Sequence, residues 1–577
     1  MVPVQQTGLA RDDRGARSAS GRAEIILGPD WGWIVSDTPA GRLSFRGYLT
    51  DGAKTLAGQS AADHVARTLQ GAADDDALRR ALTNLSGHFA FVLETPARIV
   101  ACVDRIRSIP LLWGEAAGKV LIDDRGRRLR DRLGLSVGDL DPDQALAVAM
   151  SGYTVGGGTM YRGLRGLRPG EALIVEASAP RTLRWFIYDA WSTEEAAQPE
   201  KRLSELHRFM IERLASSADG RAICVPLSAG LDSRMIAAGL RAVGCKNVRL
   251  FAYGRPGNHE IAASKAIAER LGFPWTFVPF SGAMQRAMLA DPRHEQSIWQ
   301  DADTCAAVPF EQDWIAIAKL KQDGWIPADA IVVNGQTGDF ITGNHVPKAF
   351  LAGVPASPEL RRELAYASIL DKHYTMWSSL RRADNDARMI KLLDNELADV
   401  GASFDTPAPH GICEFLEYQE RQAKYVVAGQ RAYEAQQLEW RLPLWDDEYI
   451  AFWRRAPLAW KAGQSLYRRV LQADNWGDVW SDIPVNAKTI RPRWLVPVRL
   501  AAKAASAPLG RDRWHGIERR LFGWWMDPLR VAAVVPYLKA AADNRGARHG
   551  VSWLIERYLG EHGIEIDAAL ASRLSGQ

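Results

Sequence analysis

The sequence predicts an α/β protein with a parallel sheet in its second half, and three patterns support this fold class. Short segments of β character, punctuated by glycine and proline, fill residues 24–192, for example RLSFRGYL (42–49) and HFAFVLE (88–94). From AICVPL (222–227) onward, short buried-strand runs alternate with helical patterns, which is typical of βαβ units. After residue 355 the pattern becomes mainly helical.

The remaining elements follow in chain order. Two more strands, RIVACVD (98–104) and EALIVEA (171–177), flank a glycine-rich stretch over 151–171 that must be rich in loops. The polar stretch STEEAAQPEKR (192–202) indicates a linker. In the second half we expect a helix with Ile236, Leu240 and Val243 on one face, the strand NVRLFAYG (247–254), the helix EIAASKAIAERLG (260–272), and the strands WTFVPF (275–280) and AIVVNG (330–335).

Composition indicates an ordinary soluble protein. The 577 residues are 47% hydrophobic and 24% charged, and a net charge of +4 gives no case for binding nucleic acid. The five cysteines are isolated, which favours reduced thiols in a reducing compartment. No run of 18 apolar residues predicts a membrane span, and the first 22 residues lack the apolar core of a signal peptide. A cytoplasmic location is therefore expected.

The chemistry is concentrated where the strand 222–227 ends and a helix begins. Such a turn points several backbone N–H groups and the positive end of the helix dipole at one spot, which favours an anion. Gly230 and Ala229 allow close approach, while Ser228 and Ser233 add hydroxyl groups. Asp232 would repel a naked phosphate, so we expect Mg²⁺ between them. The alternative is an ordinary helix start capped by serine or aspartate. Against it, the loop follows a strongly buried strand at the carboxyl end of a parallel sheet, where ligands bind.

The motif LSAGLDSR (227–234) resembles the SGGxDS pyrophosphate loop of the ATP pyrophosphatase (PP-loop) superfamily. NGQTGDF (334–340) takes the place of a second loop, SGEGSDE, that is typical of its asparagine synthetase branch. Other segments resemble the same family in the same order. They are LSGHFAFVLE (85–94), ACVDRIRSIPLLW (101–113), GGGTMYRGLRGLRPGEAL (156–173), HEIAASKAIAERLG (259–272) and RLPLWDDEYIAFW (441–453).

This resemblance to the glutamine-hydrolysing asparagine synthetase family implies a domain order. The expected parts are a flexible arm (1–23), a glutaminase-like α+β sandwich of the Ntn-hydrolase type (24–192), a linker (193–203), a PP-loop synthetase domain (204–500), and a helical extension rich in Trp and Arg (501–577). The implied reaction forms an amide. A carboxylate attacks the α-phosphorus of ATP, pyrophosphate leaves, and nitrogen displaces AMP from the acyl-adenylate.

The resemblance also implies roles for individual residues. Asp232 and Asp339 would be Mg²⁺ ligands, and together with Gln336 and Arg468 they form the expected catalytic set. Glu260 is the expected substrate-binding residue. The residues expected to bind ATP and pyrophosphate are Leu227, Ser228, Ala229, Gly230, Leu231, Ser233, Tyr253 and Gly335.

The sequence departs from the family pattern at three places. The family's glutaminase uses an N-terminal cysteine, whereas this sequence begins Met1-Val2-Pro3 and its first cysteine is Cys102, so we expect no glutaminase activity by that route. The glutamate that would accept a proton from the incoming nitrogen is replaced by Gln336, a neutral amide. Glu260, Asp339 and His345 are the candidates for this role.

The third departure concerns the lysine that neutralises the phosphates. Its position is occupied by Gln464, so Lys461, Arg468 and Arg469 are candidates for the missing charge.

Several functions remain open. The acceptor could be a small-molecule, glycan or peptide carboxylate, with ammonia or an amine as nitrogen donor. Cysteine-less relatives include amidotransferases of polysaccharide pathways, lasso-peptide macrocyclases and β-lactam synthetases, and plain asparagine synthesis also stays open. A non-catalytic nucleotide-binding regulator is the alternative from another class. A homodimer is left open. The basic, Trp-rich stretch 487–530 is either a solvated face or a site for an anionic substrate or membrane surface.

Overall fold

The computed structural model describes residues 16–17, 21–28, 31–177, 179–195, 197–485, 493–526 and 534–566. Its strands are β1 (Ala16–Arg17), β2 (Ala23–Ile26), β3 (Ile34–Thr38), β4 (Gly41–Asp51), β5 (Lys54–Ala57), β6 (Gly87–Glu94), β7 (Ile99–Val103), β8 (Leu112–Ala116), β9 (Lys119–Asp123), β10 (Leu164–Gly166), β11 (Glu171–Val175), β12 (Arg181–Arg184), β13 (Ile223–Pro226), β14 (Val248–Gly254), β15 (Trp275–Pro279), β16 (Ile331–Val333) and β17 (Glu439–Arg441).

The α-helices span Gly58–Leu69, Asp75–Thr83, Gly126–Arg132, Pro142–Ser151, Pro199–Ser217, Leu231–Ala242, His259–Leu271, Gly282–Leu289, Pro292–His294, Trp314–Gln322, Lys348–Leu351, Pro358–His373, Ala383–Asp399, His410–Glu417, Arg431–Glu434, Asp447–Arg454, Leu458–Lys461, Ser465–Asp474, Leu495–Ser506, Arg511–Ile517, Gly523–Met526, Tyr537–Ala542 and Gly550–Glu561. Wider π-helical turns lie at Glu295–Asp301, Phe340–Asn344, Tyr418–Val426 and Glu518–Phe522. None of these described helices is long and apolar enough to cross a membrane.

Two sheets form the N-terminal part. One has the strand order β1-β2-β9-β8-β10, and the other has the order β12-β11-β7-β6-β4-β3 with β5 paired to β4. Alternate side chains of β6 point to opposite faces. Ala90 and Val92 join the large core, whereas Phe89 and Phe91 join a second core with the helices Gly58–Leu69 and Asp75–Thr83. The expected strands at 42–49, 88–94, 98–104 and 171–177 are confirmed as β4, β6, β7 and β11.

A five-stranded sheet with the order β15-β14-β13-β16-β17 forms the second part, and each neighbouring pair is parallel. This arrangement confirms the α/β fold class. In the helix Leu231–Ala242 that follows β13, Ile236 and Leu240 are fully buried. Val243 is the C-cap residue directly after the helix, where its N–H donates to the Gly239 carbonyl at 2.9 Å and its side chain packs against the same core.

Two expected boundaries differ from the structure. The linker 193–203 is interrupted because the helix Pro199–Ser217 begins inside it, with proline at its first position and Leu203 buried. The arm 1–23 contains β1, which pairs with β2, while residues 1–15 and 18–20 lie outside the described part. In the extension 501–577, residues 527–533 and 567–577 also lie outside it. The domain limits themselves stay predictions.

Candidate active site

Two loops meet at the carboxyl edge of the parallel sheet. The first follows β13 and leads into the helix Leu231–Ala242, and the second follows β16. Because β13 and β16 are adjacent and parallel, with Cys224 opposite Val332, both strands deliver their loops to the same edge. This is the edge at which open α/β sheets bind ligands.

The first loop is shaped by its own hydroxyl groups. The backbone N–H of Ser228 donates to the Ser233 hydroxyl at 3.0 Å, and that of Gly230 donates to the Ser228 hydroxyl at 3.1 Å. Gly230 is the N-cap of the helix, and no described side chain caps the helix. Its first backbone N–H groups therefore face the loop, as an anion site requires. Ala229 and Leu231 are buried beneath them.

Arg234, the residue after this loop, was not identified from the sequence as functional. It is fully buried, and its guanidinium donates to the Ala229 carbonyl at 2.8 Å. It also donates to the carbonyls of Val479 and Ile483, each at 3.0 Å. A distant segment of the chain is thus fastened to the back of the first loop, which makes Arg234 a positioning residue.

Two glycines press the second loop against the first. A Cβ added at Gly335 would lie 2.9 Å from the backbone nitrogen of Ser233. A Cβ added at Gly338 would lie 2.3 Å from both Cγ and Oδ1 of Asp232. Only glycine lets the two backbones approach this closely.

The site therefore brings together the two expected metal ligands, Asp232 and Asp339. Burial and the negative charge of Asp339 raise the pKa of Asp232. Burial also acts to raise the pKa of Asp339, but a hydrogen bond and the positive charge from His345 outweigh it and lower that pKa. Tyr467, from the helix Ser465–Asp474, donates to Asp232 at 3.2 Å. The Asp339 side chain remains 49% exposed, so it can reach a ligand.

This donor set fits Mg²⁺. Two carboxylates offer the oxygen ligands that the ion prefers. Burial first, and then the negative charge of Asp339, raises the pKa of Asp232, and a divalent cation held between the two carboxylates would favour their charged forms. Asp232 and Asp339 are the residues that would hold the ion.

A cluster of polar side chains lies behind Asp339, and only its member His345 was predicted from the sequence. His345 contacts Asp339 through Nε2 at 3.0 Å and Glu417 through Nδ1 at 2.5 Å. Burial acts to lower the pKa of His345, but the two carboxylates raise it to about 9. Lys372 and His373 each contact the buried Glu417 at 3.0 Å. With both ring nitrogens occupied, His345 is a charged support for Asp339 rather than an open base. Glu417 was not identified from the sequence because it lies 78 residues from Asp339 along the chain and joins the site only through the fold.

The replaced family positions have distinct environments. The side-chain nitrogen of Gln336 is buried without a hydrogen-bond partner among the described residues, and its oxygen side lies against Gly429. Gln464 is buried and donates to Thr342 at 2.7 Å. Neither amide provides the charge or the proton acceptor found in the family pattern.

The three candidates to replace the family's lysine differ in whether their charge is already paired with a carboxylate. Lys461 is fully buried and pairs with Glu414 at 2.5 Å. Arg469 pairs with Glu200 at 2.8 Å on the surface. Arg468 is exposed and donates to the Gly463 carbonyl at 3.1 Å. Arg468 therefore has a guanidinium that no carboxylate among its recorded contacts neutralises.

The remaining expected residues lie along the same edge. Leu227 is buried just beyond β13, where its N–H donates to the Phe251 carbonyl at 2.8 Å. Tyr253, near the end of β14, stacks on Phe280 with ring centroids 5.1 Å apart. Glu260 lies in the first turn of the helix His259–Leu271, where its N–H is capped by the side chain of Asn258. The binding roles of Leu227, Tyr253 and Glu260 stay predictions.

Comparison with known proteins identifies part of the chain. Residues 213–473, a little under half of its length, match the family model described as asparagine synthase. No curated protein gives a significant match.

The similar solved structures are distant. An allosteric regulatory enzyme of purine biosynthesis is 13% identical with a TM-score of 0.19, covering 42% of this chain and 62% of its own. A glutamine PRPP amidotransferase from B. subtilis is 12% identical with a TM-score of 0.19, covering 52% and 63%. This chain thus spans less than two thirds of both. An NH3-dependent NAD synthetase from Campylobacter jejuni is 12% identical with a TM-score of 0.21, covering 40% and 96%. TM-scores this low support no inference. The identification therefore rests on the family match, which assigns residues 213–473 to a domain of the asparagine synthase family.

Proposed function

We propose that this chain is an ATP-dependent, AMP-forming ligase that adenylates a carboxylate substrate and joins it to nitrogen as an amide. The observation that carries the proposal is the pair Asp232 and Asp339, brought together by Gly335 and Gly338 inside an asparagine synthase-family domain. An ordinary helix start does not require a second carboxylate pressed against it.

Different residues would bind the phosphates and the metal ion. The N–H groups at the start of the helix Leu231–Ala242, with the hydroxyls of Ser228 and Ser233, would bind the pyrophosphate portion of ATP. Asp232 and Asp339 would hold Mg²⁺, which when bound supplies positive charge where the leaving group becomes more negative. Arg468 would add a guanidinium to the same phosphates. Release of pyrophosphate then leaves an acyl-adenylate, from which nitrogen displaces AMP.

The nitrogen would come from ammonia or from an amine rather than from glutamine hydrolysed by this chain. All five cysteines lie in the described part, and all except the half-buried Cys245 are buried. Burial raises the pKa of each thiol, including that of Cys102 in β7, so none is prepared to be a nucleophile. An internal amine of the substrate, as in a macrocyclase, remains the alternative donor.

One pair of residues favours a second candidate function. Gln336 and Gln464 replace a glutamate and a lysine of the family pattern, so a nucleotide-binding regulator without turnover is the competing proposal. The carboxylate pair argues against it, because a regulator that only binds nucleotide has no need of two acids held against each other.

Turnover separates the two proposals. The full chain is incubated with ATP, Mg²⁺, ammonia and a panel of acids that includes aspartate, uronic acids and acidic peptides, and we expect pyrophosphate and AMP in equal amounts with at least one acid. Asp232→Ala should abolish pyrophosphate release while its unfolding transition is retained. Asp329→Ala is the matched control, because Asp329 is exposed near the opposite end of β16. Binding of Mg²⁺ and ATP without pyrophosphate release across the panel would refute the ligase and support the regulator.

A further inference from the structure

A large cavity lies between the C-terminal helices and the synthetase domain, with a volume of about 1010 Å³. Four arginines line it, against two carboxylates, Glu518 and Asp543. The arginines are Arg513, Arg519, Arg520 and Arg548. Aromatic side chains, namely Trp524, Trp553 and Tyr425, also contribute to the wall. The cavity is therefore both positively charged and aromatic.

Contacts connect this cavity to the candidate active site. Gln312 lines the cavity and donates to the Tyr253 hydroxyl at 3.1 Å, close to the end of β14. Tyr425 lines it too, and packs edge-on against Phe310 at 5.0 Å. Phe310 in turn contacts Gly429, which also lies against Gln336. These contacts therefore lead from the cavity wall to Gln336 in the second loop and to Tyr253 at the same edge of the sheet.

The C-terminal helices are fastened beside this edge of the sheet. Arg255, the residue after β14, donates to the Trp525 carbonyl at 2.7 Å. Trp525 packs on Trp524, whose ring centroid is 4.7 Å away and whose side chain lines the cavity. The extension thus forms a wall of the space next to the active site.

Positive charge continues from the cavity toward Asp339. Arg548 is anchored by Thr375 at 3.0 Å, and its pKa is lowered first by burial and then by the nearby charges of Arg421 and Arg519. Arg421 also lies 3.5 Å from Glu417, which contacts His345 beside Asp339. Like charges gathered in one cavity repel one another, and an anionic ligand would relieve that repulsion. Guanidinium groups pair with carboxylates through two parallel hydrogen bonds.

We propose that this cavity holds the acceptor substrate of the reaction, and that this substrate is a glycan carrying several carboxylates. The inference rests on the proposed ligase function. Ligand pockets have volumes of roughly 300–1000 Å³, so this one is far larger than a free amino acid requires. None of the lining residues that the structure describes belongs to a strand, so these residues offer no sheet edge to pair with an extended peptide backbone. Aromatic faces beside guanidinium groups instead suit sugar rings bearing carboxylates.

Binding is tested without ATP, so its outcome does not depend on turnover. The full chain is titrated with trigalacturonate by calorimetry, and we expect binding that weakens as salt is added. Arg513→Gln/Arg519→Gln removes two exposed cavity arginines and should weaken binding at least tenfold, while Mg²⁺-dependent binding of ATP is unchanged. Arg293→Gln is the control, since Arg293 is exposed and pairs with Asp291 elsewhere on the surface.

Three results would overturn the proposal. They are unchanged trigalacturonate binding in the double variant, equal binding of the methyl-esterified sugar, which lacks the charges, and tighter binding of hexaglutamate, which would assign the cavity to an acidic peptide. Each of these results leaves the ligase proposal intact, because pyrophosphate release is measured separately. If the protein bound trigalacturonate but released no pyrophosphate with any acid, the ligase proposal would be refuted and the binding proposal would stand.

Discussion

Replacing Gly338 with alanine tests whether the close approach of the two loops sets the position of Asp232. The added Cβ would lie 2.3 Å from Cγ and Oδ1 of Asp232 and 2.7 Å from Cδ1 of Leu444, whereas ordinary contact begins at 3.4 Å. The carboxylate or the loop must therefore move by about 1 Å, and a displacement of that size costs on the order of 100-fold in rate. The φ of Gly338 is not among the positive values, so alanine meets no backbone strain there. The overpacking should lower the free energy of unfolding by only about 1–3 kcal/mol.

The assay is ATP-dependent pyrophosphate release, measured with the acid that supports turnover, alongside calorimetry with Mg²⁺ and α,β-methylene-ATP. Gly560→Ala is the matched control, because Gly560 lies in the helix Gly550–Glu561 with open space around it. That control should keep full activity and gain up to about 1 kcal/mol of stability. If Gly338→Ala released pyrophosphate at the rate of the control, the position of Asp232 would not depend on this contact, and our account of the paired loops would be wrong.

Two further predictions concern stability. Burial lowers the pKa of His207 to about 3, from a usual 6.5, so its neutral form stabilises the fold above pH 6.5 and this contribution is lost as the pH falls. Between pH 7 and pH 5, the free energy of unfolding should therefore fall by about 2 kcal/mol less in His207→Leu than in the wild type, as measured by urea titrations. Equal falls in the two proteins would show that His207 does not have this lowered pKa. Lys461→Met should lower the free energy of unfolding by about 3–5 kcal/mol, because it leaves the buried Glu414 unpaired. The double variant Lys461→Met/Glu414→Leu should regain most of this stability, because it removes both charges. If the double variant were as unstable as Lys461→Met, the loss of stability would not come from the unpaired charge of Glu414.

The sequence predicted the elements whose signals are local. The buried run before Leu227 and the serine, glycine and aspartate after it locate the first loop without any tertiary information, and the structure places that loop at the end of β13. The strand 330–335 likewise predicted where the second loop begins, and β16 ends at Val333. Adjacent parallel strands then explain why Asp232 and Asp339 meet.

The supporting residues could not be predicted in this way. Arg234 looked like one more charged residue in a helix, yet it is fully buried and binds carbonyls 245 residues away in the chain. Tyr467 reaches Asp232 and Glu417 reaches His345 from separate helices, and no periodicity in their own segments marks them. Burial and pairing of this kind depend on which helices pack together, and a pattern along one segment carries no such information.

The distribution of positive charge is where the site departs most from the resemblance that identified it. The position expected to hold a phosphate-neutralising lysine is Gln464, and the nearby Lys461 is occupied by Glu414. His345 carries charge but directs it at Asp339 and Glu417. Arg468 is exposed beside the site, and Arg513, Arg519 and Arg520 are exposed in the C-terminal cavity. In the proposed ligase, charge that develops on the leaving pyrophosphate must be met by groups already in place, so Arg468 and the helix N-terminus would have to supply what the lysine of the family pattern does not.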